Sequence, residues 1–201
     1  MIKTLSIVIQ LAWSLNVSAQ LTDQEIMDRK HGRIESDTSY VYALPYEKSR
    51  RFLFIQGANS KMSHRDELSF DFKMKKGSKI CAARDGIVIA TKQDSDRGGL
   101  KDEFMGDGNH IIIRHNDGST AHYWHLEKNG VFVKMGEMVK KNQLIGSSGN
   151  TGYTAFPHLH FQIIDDNGKE ILPRFQTSKG VRYLRPGRFY KYKSSQAALQ
   201  Q

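Results

Sequence analysis

From residue 51 onward, apolar side chains recur in short runs, at 52–56, 70–72, 79–82, 86–91, 109–115, 120–126, 143–146 and 158–164, with Gly, Asn, Asp or Lys in nearly every gap. Successive side chains in a strand point to opposite faces. The run 158–164 therefore places His158, His160 and Gln162 on one face and Leu159, Phe161 and Ile163 on the other. In the same way Phe70 and Phe72 point inward while Ser69 and Asp71 point outward. Regular alternation through 120–126 puts Ala121, Tyr123 and His125 on one face and His122 and Trp124 on the other, so a regular strand cannot bring His122 and His125 to one site. Asn116-Asp117-Gly118 and Asp166-Asn167-Gly168 are hairpin-type turn signals. Many short strands, hardly a helical period and no internal repeat predict a mainly β domain built on antiparallel sheet.

The ends have a different character. Lys3 precedes a mostly apolar run from Leu5 to Leu15, and Val17-Ser18-Ala19 offers small residues at the offsets signal peptidase uses. Residues 1–19 read as a signal peptide, and the mature chain begins near Gln20. The run is too short to span a bilayer, and no cysteine follows it to carry a lipid. An exported product, periplasmic or extracellular and without a membrane anchor, is expected. Residues 20–50 are polar and weakly patterned, an N-terminal extension with little helix in which Thr22 or Asp23 caps a short helix through Glu25, Ile26 and Met27. The domain proper is expected over 51–190, followed by a tail at 191–201.

Composition narrows the chemistry. Thirty basic against 21 acidic residues give a net charge of +9, so an anionic partner is expected. From Ser178 to Gln201 there is no acidic residue. The single cysteine, Cys81, excludes an internal disulfide and any two-cysteine zinc or redox motif. It reads as a small buried apolar residue. A metal site must be built from His, Asp and Glu.

The His-x-His at 158–160, on the polar face of an otherwise apolar strand, is a candidate metal or catalytic pair. Asp71 ends a strand after a polar loop that carries His64, with Asp66 and Glu67 as competing carboxylates. The glycine-rich stretch 146–152 lacks the lysine of a phosphate-binding loop and the dinucleotide glycine pattern, so it reads as a tight loop leading into the His-x-His strand. Residues 94–105 imitate a calcium loop but end on Met105 instead of a bidentate Glu. No His-Glu dipeptide occurs, which excludes the helical zincin motif and its glutamate base.

Taken in order, His64 with Asp71, Tyr123-Trp124-His125-Leu126, Ser148-Gly149-Asn150-Thr151-Gly152 and Pro157-His158-Leu159-His160-Phe161 resemble the lysostaphin-type (LytM, M23) zinc endopeptidases. Residues 82–88 and 108–111 look like that family's hairpin and following strand, so the resemblance covers about 52–164. It implies an antiparallel β-sheet domain with an open groove and one zinc ion per chain. By position, the resemblance makes His64, Asp71 and His160 the zinc ligands and His125 and His158 the catalytic histidines. His64 and Asp71 stand farther apart than in many members, and a charged insertion occupies 93–107. Three protein ligands leave zinc an open position, which suits catalysis.

The implied activity is hydrolysis of peptide bonds in peptidoglycan cross-links or stem peptides, with peptidoglycan peptides and anionic cell-wall polymers as partners and no nucleic acid partner. The alternatives are a catalytically silent LytM-type regulator of another wall hydrolase and a basic wall-binding protein. Degenerate members usually lack one or more of the five residues, and this chain keeps all five. His31, His110, His115 and His122 read as extension, strand-face or rim residues.

Overall fold

The structure, a computed structural model, describes residues 22–30, 40–57 and 68–192. His64, His31, the expected signal peptide and the chain after Tyr192 lie outside the described residues. Eight antiparallel strands form the main sheet, in the spatial order Met138–Val139, Gly86–Lys92, His110–Arg114, Thr120–Trp124, His158–Ile164, Phe70–Lys73, Arg51–Gln56 and Arg188–Lys191. The mainly β, antiparallel expectation holds.

The two faces of this sheet separate as the alternation requires. Phe161 pairs with Phe70 on one side and Tyr123 on the other, Leu159 with Phe72, Ile163 with Ala121, and Ile111 with Tyr123. All of these are at most 1% exposed. Burying one such apolar side chain stabilises the fold by roughly 1.5–3 kcal/mol, which fixes register strongly, since a one-residue slip turns every side chain to the wrong face. The opposite face carries the polar partners: His160 beside Asp71 and Trp124, His158 beside Lys73, and Gln162 beside His122.

A smaller sheet of Lys79–Cys81, Leu144–Ser148 and Leu126–Val131 leads out of the glycine-rich region. Cys81 is free and buried in it, and burial pushes its thiol up to about 11. The third sheet joins Val41–Ala43 in parallel to Arg174–Thr177, which pairs with Gly180–Arg182. Residues 40–46, read in the sequence as extension, put Tyr42, Leu44 and Tyr46 into the core, each 0% exposed. Tyr192, beyond the expected domain end, is buried there too and donates its hydroxyl to the Leu44 carbonyl.

The short helix Asp23–Lys30 starts on a reciprocal cap. Glu25 N donates to Thr22 Oγ1 at 3.2 Å and Thr22 N donates to Glu25 Oε2 at 2.7 Å, which satisfies amides that the first turn leaves without partners. The helix buries Ile26.

Candidate metal centre

The polar face of the His158–Ile164 strand and its neighbours opens into a groove of about 720 Å³ whose lining includes Asp71, Trp124, His125, His158 and His160. Cross-strand pairing sets Asp71 directly opposite His160, and their side chains meet at 3.0 Å, Asp71 Oδ1 to His160 Nδ1. The same Asp71 oxygen lies 3.5 Å from His158 Nε2. His158 and Asp71 are buried, at 6% and 5% exposure.

His125 reaches this cluster by breaking the strand. A regular strand sends it into the core beside Ala121 and Tyr123; instead the strand ends at Trp124, and His125 adopts a left-handed backbone with φ 64°. The expectation that His125 follows the alternation is thereby corrected: its imidazole joins the Asp71 and His160 face, 4.6 Å from the His158 ring and 5.8 Å from the His160 ring, centroid to centroid. A left-handed residue other than glycine costs about 1–3 kcal/mol and persists only where its surroundings over-determine it. Here Gly149 N donates to the His125 carbonyl at 2.8 Å, and Leu126 N donates to the Asn109 carbonyl at 3.1 Å.

The glycine-rich loop follows from that crowding. A Cβ on Gly149 meets Glu127 N at 2.5 Å, and one on Gly152 meets Gly108 Cα at 2.7 Å. Gly152 also has φ +84°, so glycine is required there by both space and backbone. Between these glycines Thr151 Oγ1 donates to the Leu126 carbonyl at 2.8 Å and accepts from Asn109 N at 3.0 Å. The fully buried Asn109 holds the base of the insertion, donating to Ser95 O at 2.8 Å and accepting from Ser95 N at 3.1 Å.

The ring nitrogens are differently engaged. His125 Nδ1 lies 2.7 Å from the Thr151 carbonyl and His158 Nδ1 lies 2.8 Å from the Phe156 carbonyl. A carbonyl only accepts, so each Nδ1 carries the proton and each Nε2 keeps its lone pair. His160 instead turns Nδ1 toward Asp71. One ligand nitrogen from each of the three histidines falls within 4.8 Å of the others. Burial, reinforced by His158 and His160, pushes His125 down to about 3, so its imidazole is neutral. Imidazole nitrogens beside a carboxylate suit zinc, which takes nitrogen and oxygen donors.

Several residues around the site carried no role in the sequence reading. Asn109 and Thr151 sat in recognised segments without a function, and Glu170 gave no local signal. Glu170 accepts from Leu68 N at 2.6 Å and from Gln162 Nε2 at 2.5 Å, tying the strand that bears Asp71 to the one that bears His160. Leu100, at the tip of the 93–107 insertion, lines the groove, and Gly98–Gly99 pairs in parallel with Gly152–Tyr153. His110 and His122 stand half-buried on the groove side, whereas His115 is buried against Asp85 O at 2.8 Å.

The sequence profile of peptidase family M23 matches residues 65–173, more than half of the chain. The chain belongs to peptidase family M23. Its M23 region is 35% identical over 94 residues to the peptidoglycan DD-endopeptidase ShyA of Vibrio cholerae, covering 47% of this chain and 19% of that protein. It is 36% identical over 92 residues to lysostaphin of Staphylococcus simulans, covering 46% of this chain and 17% of lysostaphin. The chain thus spans about a fifth of the length of the curated relatives it matches. Among solved structures, a zinc-containing peptidase from Vibrio cholerae is similar at 25% identity, covering 65% of this chain and 38% of that one, with a TM-score of 0.49.

Proposed function

We propose that this M23 chain is an exported, catalytically active zinc endopeptidase that hydrolyses peptide bonds in peptidoglycan cross-links or stem peptides. The observation that carries the reading is the convergence of Asp71, His125, His158 and His160 in one groove, from two strands and the break that ends a third. Relatives named as peptidoglycan endopeptidases support the substrate class. Residues 1–19 direct export and are removed after Ala19; the catalytic domain comprises the expected 51–190 together with residues 40–46 and Tyr192, which pack into its core.

In this reading His64, Asp71 and His160 hold the zinc, and His125 and His158 handle protons. When bound, zinc supplies a Lewis acid and a means of activating water near neutral pH. His125 Nε2 and His158 Nε2 present lone pairs to the groove because their Nδ1 protons are held by Thr151 O and Phe156 O. One of them takes the proton of the attacking water and passes it to the leaving amine; the other, carrying on Nε2 a proton drawn from solvent before the attack, stabilises charge on the scissile carbonyl oxygen and keeps that proton throughout. Burial pushes His125 down, so its imidazole enters neutral and ready to receive a proton.

Mass spectrometry of muropeptides released from defined peptidoglycans by the zinc-loaded protein tests the reading. New amino termini at one bond type are expected, absent with His125→Ala. Intact muropeptides with fully zinc-loaded protein would leave the silent regulator as the reading.

A further inference from the structure

Beside the groove lies a second cleft, of about 620 Å³, lined by Arg50, Arg51, Lys73, Lys75, Lys76 and Lys79 with Glu47 as its one carboxylate. Glu47 is already engaged, 3.0 Å from Lys79 Nζ and 4.0 Å from Arg50 Nε. Lys73, Lys75 and Lys76 are exposed and form no ion pair among the described residues. A concave surface lined by one sign of charge concentrates ions of the opposite sign.

Lys73 belongs to both cavities. It pairs in register with His158, and its ammonium sits 5.9 Å from the centre of the Phe156 ring on the groove side. An extended chain reaches at most about 11 Å over three residues, so the Lys75 and Lys76 backbone stays within that distance of Lys73. A ligand continuous with the groove therefore enters the cleft within two or three residues of the bond held beside His158. This continuity favours an anion carried by the substrate itself over a separate polymer, which has no need to share a wall with the groove.

We infer that the cleft binds the free carboxylates of the peptide substrate, two or three residues from the bond that is cut, and so selects for acidic peptides over amidated ones. The inference rests on the peptide-hydrolysing reading above. Arg50 lies 4.0 Å from Glu47 and Arg51 sits 5.2 Å from the centre of the Phe189 ring, which leaves the flexible ammonium groups of Lys73, Lys75 and Lys76 to meet the carboxylates, so the selection is by charge more than by shape.

The test uses two cross-linked peptides that differ only in whether those carboxyl groups are free or amidated, with the zinc-loaded parent and a Lys75→Gln/Lys76→Gln variant. The parent is expected to show a KM lower by about 3- to 10-fold for the free acid, the range for two exposed ion pairs. That preference should shrink as salt is added. The variant should lose the preference while turning over the amidated peptide like the parent. Equal KM values in the parent, or an unchanged preference in the variant, would overturn the inference. If the parent cuts neither peptide, the hydrolytic reading fails separately; fluorescence anisotropy of the two labelled peptides then decides the cleft by the same criterion. Lysine-dependent binding of a phosphodiester oligomer, with none of the free-acid peptide, would also overturn it.

Discussion

The Thr151 carbonyl accepts the Nδ1 proton of His125 at 2.7 Å, and through that bond the glycine-rich loop sets the tautomer of a histidine that the strand delivers to the wrong face. The φ of 64° at His125 turns the ring into the groove, and the bond to Thr151 keeps Nε2 free for chemistry. Two sequence features that look independent, a broken strand and a loop of small residues, thus form one device.

Metal content and turnover should separate the histidines. His160→Ala and Asp71→Ala are expected to lose both zinc and activity, because those two side chains meet at 3.0 Å in the floor of the groove. His125→Ala and His158→Ala should keep near-stoichiometric zinc and lose about 100- to 10,000-fold in turnover, the range for a positioned acid or base. Metal analysis beside single-turnover kinetics checks this. If His158→Ala sheds zinc as readily as His160→Ala, proton transfer moves to His125 alone.

Gly152→Ala should damage both stability and turnover. Its Cβ falls 2.7 Å from Gly108 Cα and 3.6 Å from His125 Nδ1, on a backbone with φ +84°. A left-handed non-glycine residue with a backbone clash costs about 1–3 kcal/mol or more. A lower Tm together with a reduced kcat is expected. A variant as stable and active as the parent would show that the loop accommodates a side chain.

Stability should fall with acid through His115. Burial pushes this histidine down to about 4 against the pull of Asp85 and Asp117, with Arg84 adding to the depression. The unfolded chain, with a histidine near 6.5, binds the extra proton first as pH drops, so the folding free energy is intact above about 6.5 and declines toward about 4. The full span is worth up to about 3 kcal/mol. His115→Asn keeps a donor for the Asp85 carbonyl and removes the titration, so urea denaturation between those pH values should show a flatter slope. Parallel slopes in parent and variant would assign the acid sensitivity to other groups.

The insertion should act on substrate affinity. Leu100 is 63% exposed yet lines the groove beside the histidine cluster. Covering the exposed part of this leucine with substrate removes apolar surface worth about 1 kcal/mol from water. Leu100→Ser is expected to raise KM about 3- to 10-fold with kcat nearly unchanged, as loss of uniform binding does. A fall in kcat at constant KM would place the insertion in the chemistry instead.

The period-two pattern was sufficient for the sheet's two faces, since burying Leu159, Phe161 and Ile163 forces His158, His160 and Gln162 outward. It likewise turned Asp71 out from between Phe70 and Phe72 and announced the antiparallel class. Only the folded chain could decide that Asp71 lies opposite His160, because register joins residues 89 positions apart through contacts no local pattern encodes. The parallel strand Val41–Ala43 was hidden for the same reason, its partner Arg174–Thr177 being distant in sequence. His125 shows the limit most clearly: alternation predicts the core, and the groove wins because Asn109, Gly149 and Thr151, brought in from elsewhere, supply the hydrogen bonds that hold a left-handed residue in place.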